Sequence, residues 1–168
     1  MTDDDVHSAL VRWLSGITGA TVIKTHQSGP APDTPYIAVN MTGTSEIREH
    51  AQSVEYTELE TVNSQGKNEI SAAPVIETEW RFSCHAYGSD PTSILRPIRS
   101  AAQVAQKNEP MMRLLVIHEV SQVRNVPDWL NEAWEPRGQI DVILRGLTRD
   151  GFVVDTIEDA PFDFQPIH

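Results

Sequence analysis

The most regular hydrophobic pattern in the chain runs from Val75 to Tyr87, where apolar and polar residues alternate. A period of two with β-branched and aromatic residues is typical of a half-buried strand. The pattern therefore predicts a long strand with a core face and an outer face. The core face consists of Ile76, Trp80, Phe82, Cys84 and Ala86. The outer face consists of Val75, Glu77, Glu79, Arg81, Ser83, His85 and Tyr87.

An amphipathic helix is predicted directly after this strand. Asp90 is a favourable N-cap residue, and Pro91 fits the first helical turn. From there to Lys107 the apolar residues recur at helical spacing. They are Ile94, Leu95, Ile98, Ala101, Ala102 and Ala105. A strand followed by such a helix indicates a sheet with a helix on one face.

A proline inside this helix has a structural consequence. Pro97 lies beyond the first turn if the helix starts at Pro91. The helix then lacks one backbone hydrogen bond, so we expect a kink at this position. The alternative is a separate turn over residues 91–95, with the main helix starting near Arg96.

The N-terminal part of the chain predicts another helix and two strands. Thr2 or one of the residues 3–5 can cap this helix, and Gly16 followed by Gly19 ends it. Its apolar stripe consists of Val6, Ala9, Leu10, Trp13 and Leu14. The next elements are a short strand at 20–25, a loop at 27–35 that contains three prolines, and a strand at 36–42 with Ile37, Val39 and Met41 on one face.

Residues 43–73 differ in composition from the rest, being rich in Glu, Ser, Thr and Gln and poor in large aliphatic residues. Residues 54–62 alternate, and residues 63–68 have the composition of a turn. The segment predicts a projecting β-hairpin arm whose second limb continues into the strand at Val75. The alternative is a disordered acidic loop.

The C-terminal part predicts further strands with an irregular connection that carries Trp129 and Trp134. In order, the elements are a strand at 112–120, a connection at 125–134 with a helical turn capped by Asp128, a strand at 139–147 with Ile140, Val142 and Leu144 inward, a tight turn at 149–151, a last strand at 152–157 and an acidic tail at 158–168. Together these elements predict a single α+β domain over 1–168. Its mainly antiparallel β-sheet carries two main helices and the hairpin arm.

Composition restricts the classes of partner. The chain of 168 residues contains 24 acidic and 13 basic residues, for a net charge of −11. Such a chain is poorly suited to bind a nucleic acid backbone or an anionic membrane. The single cysteine, Cys84, excludes an internal disulfide framework, and we expect it to be buried. Without an apolar membrane span or a basic N-terminal segment, the sequence favours a soluble protein made in a reducing cytoplasm.

Residues that could take part in catalysis or metal binding are scattered along the chain. The six histidines show no metal-ligand spacing, and Glu77, Glu79 and His85 on one strand face favour a solvated or subunit-contact surface over a metal site. Neither a nucleophile elbow nor a phosphate-binding glycine motif is present. Arg137 fits either a contact with a partner carboxylate or an intrachain pair. The sequence therefore indicates no catalytic, cofactor-binding or metal-binding residue and no cofactor.

Three segments in a fixed order resemble the neck or tail-terminator proteins of tailed bacteriophages. They are the loop and strand at 27–39, the strand and helix start at 80–95, and the segment 134–144, which places Arg137 before an alternating strand. The helix at 5–14 fits the same pattern. The resemblance covers most of the chain but secures the 43–73 arm and the tail less well.

The resemblance implies a non-enzymatic virion subunit that forms a hexameric ring at the head-proximal end of the tail. Such a ring caps the tail tube and joins the tail to the head, which implies contacts with tube, sheath and head-completion or connector proteins. DNA would only pass through the lumen, and no membrane is involved. The alternatives are another neck component, such as a head-completion or collar protein, and a cytoplasmic enzyme or adaptor. The outer face of the strand at 75–87 is the candidate contact surface.

Overall fold

A computed structural model describes residues 1–26, 29–111, 115–130 and 132–155. The helices are α1 (Asp3–Thr18), α2 (Pro91–Ala102) and α3 (Ala105–Asn108). The strands are β1 (Thr21–Lys24), β2 (Tyr36–Glu46), β3 (Ser53–Val62), β4 (Asn68–Tyr87), β5 (Leu115–Val120), β6 (Arg124–Asn125), β7 (Asp128–Leu130), β8 (Ala133–Glu135), β9 (Arg137–Arg149) and β10 (Phe152–Val154). Within the described residues, eight strands form one sheet, and β7 and β8 form a separate two-stranded sheet.

The predicted fold class is confirmed. The main path of the sheet is β1-β2-β4-β9-β5, and its pairs are antiparallel except for the parallel pair β1 and β2. The two longer helices, α1 and α2, contribute buried residues to the same hydrophobic core as the sheet. The chain is therefore an α+β protein with a mainly antiparallel sheet and two main helices.

The strand β4 is the axis of the sheet. It has 20 residues, which at about 3.3 Å per residue gives a length of roughly 65 Å. Along one edge, β2 pairs with the C-terminal half of β4 and β3 pairs with the N-terminal half. Along the other edge, β9 and then β10 occupy the corresponding positions. Most backbone groups of this long strand are thereby paired on both edges.

The chain does not reverse between β9 and β10. Arg149 pairs with Val75 and Phe152 pairs with Ala72, so both strands follow one edge of β4 in the same register. The predicted tight turn at 149–151 is therefore wrong. Beyond Val75 the edge of β4 is available for pairing with β10. Gly151 lets the chain pass close to β4, since a Cβ there would lie 2.6 Å from Ser71 Oγ.

The segment between β2 and β4 contains the paired limbs of a hairpin. Residues 53–58 of β3 pair antiparallel with residues 70–75 of β4. In the turn, Asn63 Oδ1 accepts hydrogen bonds from the backbone N–H groups of Gln65 and Lys67, at 2.9 and 3.1 Å. Gly66 has a φ of 75°, a conformation that favours glycine. The pairing agrees with the predicted β-hairpin, and its projection from the sheet as an arm stays a prediction.

The core lies between the helices and one face of the sheet. Its largest fully buried side chains are Trp80, Phe82, Leu10, Leu14, Ile37, Leu95, Ile98, Ile140 and Leu144. The alternation predicted for the core face of the long strand is confirmed at Trp80, Phe82, Cys84 and Ala86. It is wrong at Val75, which was predicted on the outer face and is buried, whereas Ile76 is only half-buried. Polar contacts join α1 to its neighbours: the buried indole N–H of Trp80 donates to Asp3 Oδ1 at 2.7 Å.

The ends of α1 have the predicted chemistry. The Thr2 side chain accepts from the backbone N–H of Asp5, and the Asp5 side chain accepts from the backbone N–H of Thr2, which is a capping box. Gly16 lies inside the helix, and Gly19 forms the left-handed C-cap with a φ of 67°.

The central helix is shorter than predicted. It begins at Pro91 and continues through Pro97 to Ala102, so the alternative start near Arg96 is wrong. The expected continuation to Lys107 is also wrong, because Gln103 and Val104 separate α2 from α3. The Asn108 side-chain amide donates to the Ala102 carbonyl at 2.9 Å and so satisfies one carbonyl group at the end of α2. The kink at Pro97 stays a prediction.

The described residues of the connection at 125–134 form no helix. Its residues form β6 and the small β7–β8 hairpin, in which Trp129 pairs with Trp134. The rings of these tryptophans are edge to face, with centroids 5.2 Å apart. This cross-strand aromatic contact favours a hairpin over the predicted helical turn. The predicted structure at 27–28, 112–114, 156–157 and 158–168 lies outside the described residues.

Replacing Gly138 with alanine should destabilise the fold. A Cβ at this position would lie 3.1 Å from Leu95 Cδ1 and from the Pro91 carbonyl carbon. Overpacking of this kind costs roughly 1–3 kcal/mol. The matched control is Gly16→Ala, whose Cβ meets nothing within 4 Å and which should gain about 0.5–1 kcal/mol in the helix. Urea unfolding midpoints of both variants check the prediction, and equal shifts would contradict it.

Candidate assembly surface

The sheet has a second face, directed away from the helices, on which charged and polar residues predominate. Because cross-strand partners share a face, residues of β2, β4 and β9 form rows across it. We call these rows the polar face. The rows are Tyr36–Tyr87–Arg137, Asn40–Ser83–Asp141 and Ser45–Glu79–Arg145. All five residues predicted as contact candidates (Glu77, Glu79, Arg81, His85 and Tyr87) lie on this face.

Glu79 forms the most buried ionic contact of the polar face, with only 7% of its surface exposed. Its carboxylate accepts from Arg145 Nε and Nη2 at 3.1 and 2.9 Å, and Arg81 Nη2 lies 2.7 Å away. The hydrogen bonds from Arg145 hold the pKa of Glu79 below its usual range. The carboxylate is thus occupied inside the chain, whereas about half of the Arg81 side chain is exposed.

A second polar cluster surrounds Asp141. Its Oδ1 accepts from Ser83 Oγ at 2.8 Å and from Gln139 Nε2 at 3.2 Å, and Arg124 forms an ion pair with the same carboxylate. His85 Nε2 lies 3.3 Å from Ser83 Oγ. Burial lowers the pKa of His85, which favours a neutral imidazole at neutral pH. These hydrogen bonds fix the orientation of side chains in the middle of the sheet.

Two further ion pairs connect the hairpin segment to the sheet. Arg149 donates from Nε and Nη2 to both carboxylate oxygens of Glu55, at 2.8 and 3.1 Å. Glu77 is contacted by Arg48 Nε at 3.6 Å and accepts from Gln52 Nε2 at 3.3 Å. The bidentate contact joins β9 to β3 across β4 and favours one orientation of the hairpin.

Arg137 forms an intrachain pair. Its Nη1 lies 3.0 Å from Asp128 Oδ2, and its Nε donates to the Val126 carbonyl at 3.2 Å. Of the two interpretations made from sequence, the structure therefore shows the intrachain one. In the same row, the Tyr36 and Tyr87 rings are stacked with centroids 4.8 Å apart. Arg137 thus anchors the β7–β8 hairpin at the aromatic end of the polar face.

The side chains considered as catalytic or metal-binding candidates make contacts that stabilise the fold. Cys84 is fully buried, and burial raises the pKa of its thiol far above the usual range, which suits a small core residue rather than a nucleophile. Glu79 and His85 lie in the separate networks given above, and Glu77 is bound to Arg48 and Gln52. Within the described residues, no cluster of three or more histidine, cysteine or acidic side chains could hold a metal ion.

Sequence reasoning missed several exposed apolar side chains near the hairpin. Tyr56, Ala72 and Phe152 form a row across β3, β4 and β10, with 69% of Tyr56 and 62% of Phe152 exposed. Val54 extends this apolar row along β3. The alternation at 54–62 indicated that the two faces of this strand differ. It did not show which of its side chains would remain exposed. Exposed aromatic side chains of this kind are frequent in protein interfaces.

Taken together, these observations describe an α+β protein whose sheet has one core face and one polar face. Aromatic side chains remain exposed near the hairpin. The model of the phage neck terminator protein family matches residues 4–167, and the chain belongs to this family of structural virion proteins. The suspected resemblance is thereby confirmed. A search of curated proteins finds no match. Across the described part of the chain, none of the helices has the length and apolar character that a membrane crossing requires.

Replacing Glu79 with glutamine should destabilise the fold by about 1–3 kcal/mol at neutral pH, because Arg145 loses its charged acceptor. The longer pair of Glu77 with the exposed Arg48, at 3.6 Å, provides the control, and Glu77→Gln should cost less than about 1 kcal/mol. The pKa of Glu79 is lowered in the folded state, so its contribution is present well above pH 4.5 and is lost as the pH falls through the folded-state pKa. Denaturant unfolding from pH 7 to pH 3 measures this change, and a difference that grew on acidification would contradict it.

Proposed function

We propose that the chain is a ring-forming tail terminator of a tailed phage. A hexameric ring of this subunit caps the tail tube at its head-proximal end and joins the tail to the head. The observation that carries the proposal is the family match, which spans residues 4–167. On this proposal residues 1–168 form one domain, and the protein is made in the host cytoplasm and located in the neck of the virion.

The sheet edges support assembly. The strands β3 and β10 each pair only with β4 among the described strands, so each has an outer edge for further pairing. An exposed edge can accept a strand from a neighbouring subunit. The hairpin of β3 and β4 then acts as an arm that contacts the next copy, and the exposed row with Tyr56 and Phe152 lies on the same part of the chain.

The proposed partners follow from the position of such a ring. One side faces the tail tube, with sheath proteins if the tail is contractile, and the other faces head-completion or connector proteins. Closed rings require non-identical surfaces on each subunit, and the two ends of β4 provide different ones: a hairpin at one end and the aromatic row with Tyr36 and Tyr87 at the other.

The acidity of the chain agrees with DNA passing through the ring without binding. A net charge of −11 repels a phosphate backbone, and a negative lumen would limit sticking during genome ejection. Imaging of assembled rings tests this point, since a lumen lined by lysine and arginine would contradict it.

Deleting the gene from its phage tests the proposed function. Without a terminator, tube polymerisation has no stop, so we expect tails of uncontrolled length that are not joined to DNA-filled heads. Electron microscopy of the lysate measures tail length and joining, and expression of the intact chain in trans should restore both. Normal infectious virions from the deletion strain would refute the proposal. Tails of normal length that fail to join heads would indicate a head-completion or collar protein instead.

A further inference from the structure

The segment formed by β3, β4 and β10 has an open edge on each side. Among the described strands, β3 and β10 each pair with β4 alone. We call the outer side of β3 the β3 edge and the outer side of β10 the β10 edge. An open edge presents unpaired backbone N–H and C=O groups to a further strand. The direction of the strands, their register and their charge distinguish the possible partners of these two edges.

The two outer strands run in the same direction. Both β3 and β10 are antiparallel to β4, so they are parallel to each other. In a head-to-tail ring whose axis follows these strands, the strands of the next copy keep this direction. The β3 edge of the next copy then meets the β10 edge of the first as a parallel pair, with evenly spaced hydrogen bonds. One chain thus carries both halves of a repeating contact.

The register of this contact follows from the levels of the residues along β4. Tyr56 and Phe152 both pair with Ala72, one from each edge of β4. Rotation about the ring axis preserves this level, so Tyr56 of the next copy would lie beside Phe152 of the first. Both aromatic side chains are more than half exposed in the single chain. A shift of one residue would put them on opposite faces of the sheet, which favours the unshifted register.

Charge complementarity favours the same register. Ser53 and Arg149 both pair with Val75. Glu55 lies two residues beyond Ser53 on the same face, so Glu55 of the next copy would be a diagonal neighbour of Arg149, within reach of its long side chain. Arg149 already crosses β4 to reach Glu55 of its own chain at 2.8 Å, and the next copy would bring this acid one strand closer. Each Arg149 can then contact two carboxylates, since about half of both side chains is exposed.

A two-fold contact between two β3 edges is disfavoured by charge. The strand β3 carries Glu55, Glu58 and Glu60, which would lie beside the same acids of the second copy. Like charges on neighbouring strands are destabilising. The three residues of β10, by contrast, are Phe152, Val153 and Val154, none of which is charged. The acidic β3 edge is therefore better matched by the β10 edge of another copy than by a second β3 edge.

We propose that β3 of one copy pairs in parallel with β10 of the next copy and continues the sheet around the ring. Phe152 then packs against Tyr56 of the next copy, and Arg149 bridges Glu55 of its own chain and Glu55 of the next. This inference rests on the proposed ring and names the strands that form one of its subunit contacts. The two edges are different surfaces on one chain, as a head-to-tail ring requires.

Disulfide trapping in purified particles tests the pairing. Thr57 and Val153 both pair with Ser71, so Thr57→Cys and Val153→Cys of successive copies would lie on adjacent strands about 5 Å apart, within disulfide range. Within one chain the same positions are two strands apart, at about 10 Å, which is too far for a disulfide. Mild oxidation of the double variant should link copies into a ladder that ends at the size of the ring. Because Cys84 is buried, the two new thiols are the reactive ones.

Controls on the strand and on the face accompany this test. Each single-cysteine variant should give no linked copies, and dimers from Thr57→Cys alone would reveal pairing between two β3 edges and overturn the proposal. Tyr56→Cys with Val153→Cys puts the thiols on opposite faces and should give no ladder. Particles in which the double variant of Thr57 and Val153 stays unlinked would also overturn the contact, since another virion protein would then occupy the β10 edge.

A charge on the β10 edge provides a second test that does not depend on the cysteine variants. In the proposed register Val153 is a diagonal neighbour of Glu55 of the next copy, so Val153→Glu brings like charges together at every contact of the ring. Because the loss repeats around the ring, the yield of joined virions should fall roughly 10-fold or more.

The matched control for this charge is Val116→Glu on β5. Val116 is 62% exposed and Val153 is 60% exposed, so both changes place a carboxylate on an equally accessible strand. The control should have little effect on yield, and circular dichroism melting checks that both variants are folded. An equal loss from both variants, or no loss from Val153→Glu, would contradict pairing at the β10 edge.

The outcomes separate this inference from the proposed function. If deletion of the gene gives uncontrolled tails while the double-cysteine variant stays unlinked, the chain is a terminator whose ring uses other contacts. If the disulfide ladder forms but the deletion gives tails of normal length, the pairing of β3 with β10 stands and the terminator function does not. A ladder together with a loss of yield that is specific to Val153→Glu supports a sheet that continues from copy to copy.

Discussion

The pairing of β4 along both edges is the constraint on which the rest of the structure depends. A strand of 20 residues exposes many backbone N–H and C=O groups, and each must find a partner if it is to be buried. The partners are β2 and β3 on one edge and β9 and β10 on the other. One half of β4 therefore belongs to the core and the other to the hairpin. A single strand therefore runs from the packed core into the hairpin.

The polar face shows how a charged sheet surface becomes structural. Glu79, Asp141 and Glu55 each accept hydrogen bonds or ion pairs from side chains on neighbouring strands. These contacts lie across the sheet and strengthen the register that the backbone pairing sets. Fewer of the charges then remain for a partner. Among the described residues, large aromatic side chains such as Tyr56, Trp134 and Phe152 nevertheless remain exposed at the margins of the fold.

Membership in the phage neck terminator family agrees with this division. A structural virion subunit needs a stable interior and several different contact surfaces rather than an enclosed catalytic cleft. Hydrophobic burial by α1 and α2 supplies the interior. The hairpin, the open sheet edges and the exposed Trp129 and Trp134 lie around it, and their separation on one chain suits contacts with different neighbours.

Local pattern alone determined the elements whose two faces differ in polarity. The alternation from Trp80 to Ala86, the helical spacing around Leu95 and the capping residue Thr2 correctly predicted the core strand and helices, because burial and capping act over a few residues. Tertiary structure decided the rest. The straight passage from β9 to β10 depends on the free edge of a strand distant in sequence, and the Trp129–Trp134 hairpin depends on a cross-strand contact and on Arg137. Burial of Glu79 and exposure of Arg96 likewise follow from which elements pack nearby, which local alternation does not specify.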